Sequence, residues 1–206
     1  DSKIILKKII EKSPEFIDAH INLGNIYIDL NQLEKSAKCY KKVIEINPNN
    51  ILASQSLATI YNKQNRFKDA SEIYSKLVLK EPDNLELLNS YSGNQIKLGK
   101  FDNAKKILND ILRIDPNYIN AIINLGVVYK DEKKFNKAIQ YYLLALKLQP
   151  SCSIAYYNLG NIYEDKDQVD KAIHHFKKAI ENNPTYINAH YNLGCVLDKV
   201  GQTTEA

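Results

Sequence analysis

The sequence predicts an all-α chain built as a stack of antiparallel helix pairs, an α-solenoid, and three observations carry that prediction. The only six prolines, Pro14, Pro48, Pro82, Pro116, Pro150 and Pro184, stand 34 residues apart throughout. A chain made of one repeated supersecondary unit spaces its helix breakers this way, because each proline closes a unit. Between the prolines the apolar residues recur at helical period, as in Ala19, Leu23, Ile26 and Leu30 and again in Leu33, Ala37, Tyr40, Val43 and Ile44. Finally, a phrase returns in register: Asn22-Leu23-Gly24-Asn25-Ile26-Tyr27, Asn124-Leu125-Gly126-Val127-Val128-Tyr129 and Asn158-Leu159-Gly160-Asn161-Ile162-Tyr163, with Asn192-Leu193-Gly194 starting a fourth copy. No β pattern competes.

Each unit therefore reads as two amphipathic helices joined by a short turn, the second ended by the proline. Twelve residues past the glycines lie Ser36, Ala138 and Ala172, then Tyr40, Tyr142 or Phe176. Glycine and small residues mark where the two helices approach closely. One pair cannot bury its apolar face alone, so units stack and share a core. The register gives a single stack over 1–206. Its full repeats are 17–50, 51–84, 85–118, 119–152 and 153–186, with partial repeats at 1–16 and 187–206. The third repeat departs: Ser92 takes the glycine position, Gln95 the aromatic one and Leu108 the later aromatic, while Gly93 weakens its helix by roughly 1 kcal/mol relative to alanine. Looser packing is expected there.

This pattern resembles the tetratricopeptide repeat over nearly the whole chain. The resemblance implies a right-handed superhelix whose concave surface is lined by the first helix of each pair. It also implies a polar helix covering the last repeat, which neither end shows. Ile4, Ile5, Leu6, Ile9 and Ile10 form a helix without its first-helix partner, and Ala206 stands where the sixth repeat's second helix should begin. With no methionine present, the sequence reads as a segment of a longer protein. End-to-end self-association of the uncapped stack is the corresponding expectation.

Composition narrows the partner. The chain has 206 residues, of which 44% are hydrophobic and 25% charged, and a net charge of +4 carried by scattered lysines. No run approaches the roughly 18 apolar residues of a membrane span. Arg66 and Arg113 are the only arginines, which argues against nucleic acid. Cys39, Cys152 and Cys195 fall in three different repeats and form no CxxC pair, so reduced thiols in a cytoplasmic or nuclear protein are expected.

On the first helices, the second, fifth, sixth, ninth, twelfth and thirteenth positions share one face. The sixth reads Asn22, Ser56, Ser90, Asn124, Asn158, Asn192, and the ninth adds Asn25, Thr59 and Asn161. An amide offers donor and acceptor together, so a column of amides could hold an extended peptide backbone with little regard to its sequence. Tyr157 and Tyr191 add aromatic contact area. The column is similar to the asparagine ladder in the repeat superhelix of the O-linked N-acetylglucosamine transferases, although Ser56 and Ser90 interrupt it. Asparagine made abundant by an A/T-rich codon bias is the competing explanation. The fifth position (Ile21, Gln55, Asn89, Ile123, Tyr157, Tyr191) lacks the lysine of a two-carboxylate clamp for acidic chaperone tails. Over the six positions the acids Asp18, Asp29, Glu86, Asp131, Glu164, Asp165 and Asp198 outnumber Lys63, Lys97, Lys130 and Lys199, so a neutral or basic segment is favoured and nucleic acid repelled.

Neither catalysis nor a metal nor a cofactor is expected. His20 and His190 share a register position five units apart, and His174 and His175 diverge by about 100° on a helix. The sequence thus predicts a protein- or peptide-binding module. The alternatives are the substrate-recognition arm of an O-linked glycosyltransferase, or a structural subunit of a large assembly such as a ciliary transport or cell-cycle complex.

Overall fold

The structure, a computed structural model, describes residues 2–199 and 201. Among these residues twelve helices and no strand are present: α1 (Ser2–Lys12), α2 (Ile17–Asp29), α3 (Leu33–Ile46), α4 (Ile51–Lys63), α5 (Phe67–Lys80), α6 (Leu85–Lys97), α7 (Phe101–Ile114), α8 (Ile119–Asp131), α9 (Phe135–Leu148), α10 (Ser153–Asp165), α11 (Val169–Asn182) and α12 (Ile187–Lys199). The expected start of a further helix near Ala206 lies outside the described residues. First helices are thirteen residues long and second helices fourteen wherever both are complete, which reproduces the 34-residue ruler.

The turn inside each repeat closes by one device. After α2, Gln32 N–H donates to the Tyr27 carbonyl (2.7 Å) and Asn31 N–H to that of Ile28 (2.8 Å). These are the crossed bonds of a Schellman motif, which satisfies the helix's last carbonyls and needs one left-handed residue. That residue is Asn31, Asn65, Gly99, Lys133, Asp167 and Gly201 in turn, all at positive φ. Between repeats the proline loop ends in an extended residue at the start of the next helix, and before α4 and α6 its side chain caps that helix. Asn50 Oδ1 accepts from Ala53 N–H and Asn84 Oδ1 from Leu87 N–H.

The chain divides into two compact units, 1–100 and 101–206. The boundary falls inside the third repeat, placing α6 in the first unit and α7 in the second. In the first unit consecutive helices pack on one another from α1 to α6, around Tyr40, Val43, Ala53, Ile60, Tyr74 and Leu87. In the second they do so from α7 to α12, around Ile122, Tyr142, Leu159, Ile162 and Phe176.

The small positions are small for a steric reason. A Cβ on Gly24 would lie 2.9 Å from the Tyr40 ring, one on Gly126 2.5 Å from Tyr142, and one on Gly160 2.5 Å from Phe176. Gly93, outside that register, would meet nothing within 4 Å. The third repeat's first helix is not loosely held on its α5 side. Ser92, Asn94 and Gln95 are all buried to 1% exposure or less. Asn94 Nδ2 donates to Asn62 Oδ1 (2.7 Å) and the Phe67 carbonyl (2.9 Å), and Gln95 Nε2 to Ser71 Oγ (2.9 Å). A hydrogen-bonded network thus joins α6 to α4 and α5, with Gln95 at the position that Tyr27, Tyr61, Tyr129 and Tyr163 hold in other repeats.

Candidate functional site

The sixth- and ninth-position side chains are placed by the first helices, and their orientation is set by hydrogen bonds that the sequence does not display. In the first unit Asn22 and Asn25 line one cleft of about 460 Å³ together with Ile5, Leu6, Ile26 and Asp29. Both asparagines are exposed, whereas Ser56 and Ser90 are half-buried. Asn25 Oδ1 accepts from the Tyr40 hydroxyl, so the aromatic that covers Gly24 also aims the ninth-position amide. One repeat on, the Tyr74 hydroxyl lies 3.4 Å from Thr59 Oγ1.

In the second unit the same aromatic position is Tyr142 and then Phe176. The Tyr142 hydroxyl is buried without a partner among the described residues, since Val127 holds the ninth position; burial and the nearby Asp131 push its pKa up. Phe176 has no hydroxyl to offer Asn161. There Asn161 Oδ1 accepts from Asn192 Nδ2 instead (2.8 Å), and the same Nδ2 reaches the Tyr157 hydroxyl at 3.4 Å. Column members of adjacent repeats are thus one hydrogen bond apart. Asn158 departs from an open column: it is 8% exposed, and its Nδ2 donates to the Ile154 carbonyl (2.9 Å). Asn124 is half-buried on α8.

Tyr157 packs against Tyr186 (centroids 5.0 Å apart) and Phe176 (6.0 Å), so its ring belongs partly to the core. Tyr191 is 71% exposed and is the aromatic presented to solvent. Of the basic groove residues here, Lys199 Nζ is bound to Glu164 (2.6 Å), and Lys130 lies 3.7 Å from Asp131. Four acids against two paired lysines leave this face net negative.

The residues dismissed as catalytic have structural places. His20 Nε2 lies 2.8 Å from the Pro14 carbonyl and His190 Nε2 2.9 Å from that of Pro184. Each imidazole fastens a proline loop to the helix that follows, and the shared register position was the available signal. His175 stacks on Tyr163 (5.2 Å, 7°), and burial, with His174 and Lys171 near, depresses its pKa to about 4. Among the described residues no group of three His, Cys, Asp or Glu could hold a metal, all three cysteines are free, and no helix is long and apolar enough to cross a membrane.

Helix pairs in strict register, closed by glycine against an aromatic ring and separated by proline loops, define a helical-repeat scaffold of the tetratricopeptide type. The family model described as "TPR repeat" matches residues 160–201, and that described as "Coatomer epsilon subunit" matches residues 6–177. The chain belongs to the tetratricopeptide-repeat family and, over residues 6–177, to the coatomer epsilon subunit family. No curated protein sequence matches it. Among solved structures, a thermophilic tetratricopeptide-repeat protein of Thermus thermophilus is 21% identical with a TM-score of 0.77, covering 88% of this chain and 98% of that one. YrrB, described as having an unusual peptide-binding site, is 23% identical with a TM-score of 0.59, covering 91% and 96%. The MamA protein is 24% identical with a TM-score of 0.63, covering 85% and 96%. At these identities the likeness speaks for the fold alone.

Proposed function

We propose that the chain is a protein-interaction module that holds an extended peptide segment along the polar column of its first helices. The observation that carries this reading is the Asn161–Asn192–Tyr157 contact beside exposed Tyr191. It sets amides of neighbouring repeats side by side on a net acidic face. Asn161, engaged through its Oδ1, keeps its N–H donors for a passing backbone carbonyl. The acidic excess selects a neutral or basic segment. The peptide-binding site in YrrB's description is consistent with this use of the fold.

A second reading, a structural subunit of a large assembly, draws on the coatomer epsilon match. It would place the partner on edges and second helices instead. The reading as the recognition arm of an O-linked glycosyltransferase is a finer form of the first and rests on the column alone. Affinity capture from source lysate with the chain and with Asn124, Asn158 and Asn192 all changed to alanine separates groove from edge. Loss of the captured partners supports the column, and unaltered capture removes it.

A further inference from the structure

The fourth position of each first helix reads His20, Ser54, Leu88, Ile122, Tyr156 and His190. Five of the six are large, and Ser54 stands alone as a small residue. In the first repeat His20 is 7% exposed, seated between neighbouring second helices with its Nε2 on the Pro14 carbonyl. The space around it, bounded by Ile10, Leu23 and Cys39, amounts to about 280 Å³. One repeat on, the matching space is bounded by Ile44, Leu57 and Ile73 and has grown to about 430 Å³. The Ser54 hydroxyl turns back to the Asn50 carbonyl (3.0 Å) and leaves that volume unfilled. The Pro48 carbonyl, counterpart of the one His20 engages, accepts no hydrogen bond among the described residues. Lys76 and Lys80 stand exposed at the mouth. Lys80 is held by Asn49 Oδ1 (2.8 Å), and neither lysine has a carboxylate partner among the described residues.

We propose that this pocket between α3, α4 and α5 docks an aromatic side chain bearing an N–H donor, presented by an acidic partner segment. The ring takes the place that His20 fills one repeat earlier, against Ile44, Leu57 and Ile73. Its N–H donates to the Pro48 carbonyl as the His20 imidazole does to Pro14. Carboxylates flanking the ring meet Lys76 and Lys80, and this charge complementarity selects an acidic segment. The site is independent of the polar column and favours the opposite sign of partner charge.

The chain contains no tryptophan, so the indole emission of the probe N-acetyl-Glu-Trp-Glu-amide reports binding without background. A saturable blue shift is expected with the unaltered chain. Ser54→His, which restores the His20 arrangement, and Ser54→Leu, which puts a branched apolar side chain into the pocket, should each weaken binding about tenfold or more while helicity and melting temperature hold. Lys76→Glu with Lys80→Glu should weaken it by a similar factor, and Asn161→Ala with Asn192→Ala should leave it unchanged. No saturable shift with the unaltered chain, equal binding by both Ser54 variants, or loss of binding in the Asn161/Asn192 variant alone would overturn the proposal.

Discussion

Helices α6 and α8 hold the same place in consecutive repeats and are closed by opposite means. On α8, Gly126 lets the Tyr142 ring lie directly on the backbone, with Ile122 fully buried in the same apolar cluster. On α6, Ser92, Asn94 and Gln95 are buried instead: the Ser92 hydroxyl donates to the Asn89 carbonyl of its own helix, while Asn94 and Gln95 are tied to Asn62, Phe67 and Ser71 of α4 and α5. Apolar packing tolerates small errors of direction, whereas a buried polar network holds only while each member keeps its partner. One repeat register can therefore be satisfied by two kinds of physics, and Gln95, with Asn94 beside it, is a substitution of the second kind.

That contrast can be broken at several points. Tyr142→Ala should cost the most, about 3–5 kcal/mol in urea denaturation, because it empties a fully buried aromatic position. Asn94→Ala should cost about 1–3 kcal/mol, since Asn62 and the Phe67 carbonyl lose their donor inside the protein. Gly126→Ala should cost about 1–3 kcal/mol by pushing a Cβ into the Tyr142 ring. Gly93→Ala, with open space around the new methyl, should stabilise α6 by roughly 0.5–1 kcal/mol. If both glycine changes moved stability the same way, close helix approach would not explain the repeated glycine.

A further effect concerns pH in the second unit. The folded pKa of His175 lies at about 4, below its ordinary 6.5, so the unfolded chain binds the proton more readily. Stability from the neutral imidazole is fully present above about 6.5 and declines as pH falls toward 4. The difference in melting temperature between the chain and His175→Phe, which keeps a ring against Tyr163, should change across that window and level off above it. A flat difference would mean that the imidazole is not held neutral.

The repeat was legible because proline and glycine carry their reasons locally. The prolines set helix ends within two residues of those observed, and Gly24, Gly126 and Gly160 proved to sit under rings. The left-handed turn position is just as regular, at residues 31, 65, 99, 133, 167 and 201. It went unread because Asn, Gly, Lys and Asp all occupy it and no single residue type marks it. The column positions were visible as a column. What was hidden is which atoms are already engaged: Asn25 by Tyr40, Asn161 by Asn192, Asn158 by its own helix. Those bonds depend on side-chain reach between helices, which spacing along one helix does not encode. Ser54 carries no signal of a site in the sequence, because a small side chain stands out only against its five large counterparts.

The central claim, that the polar column grips a peptide backbone, is tested most directly by titration calorimetry. Peptides selected from a random library on the unaltered chain would be titrated into it and into the variant with Asn124, Asn158 and Asn192 changed to alanine. Loss of several backbone hydrogen bonds should weaken binding about tenfold or more while the helical spectrum is retained. Equal affinity for the two proteins would contradict the account.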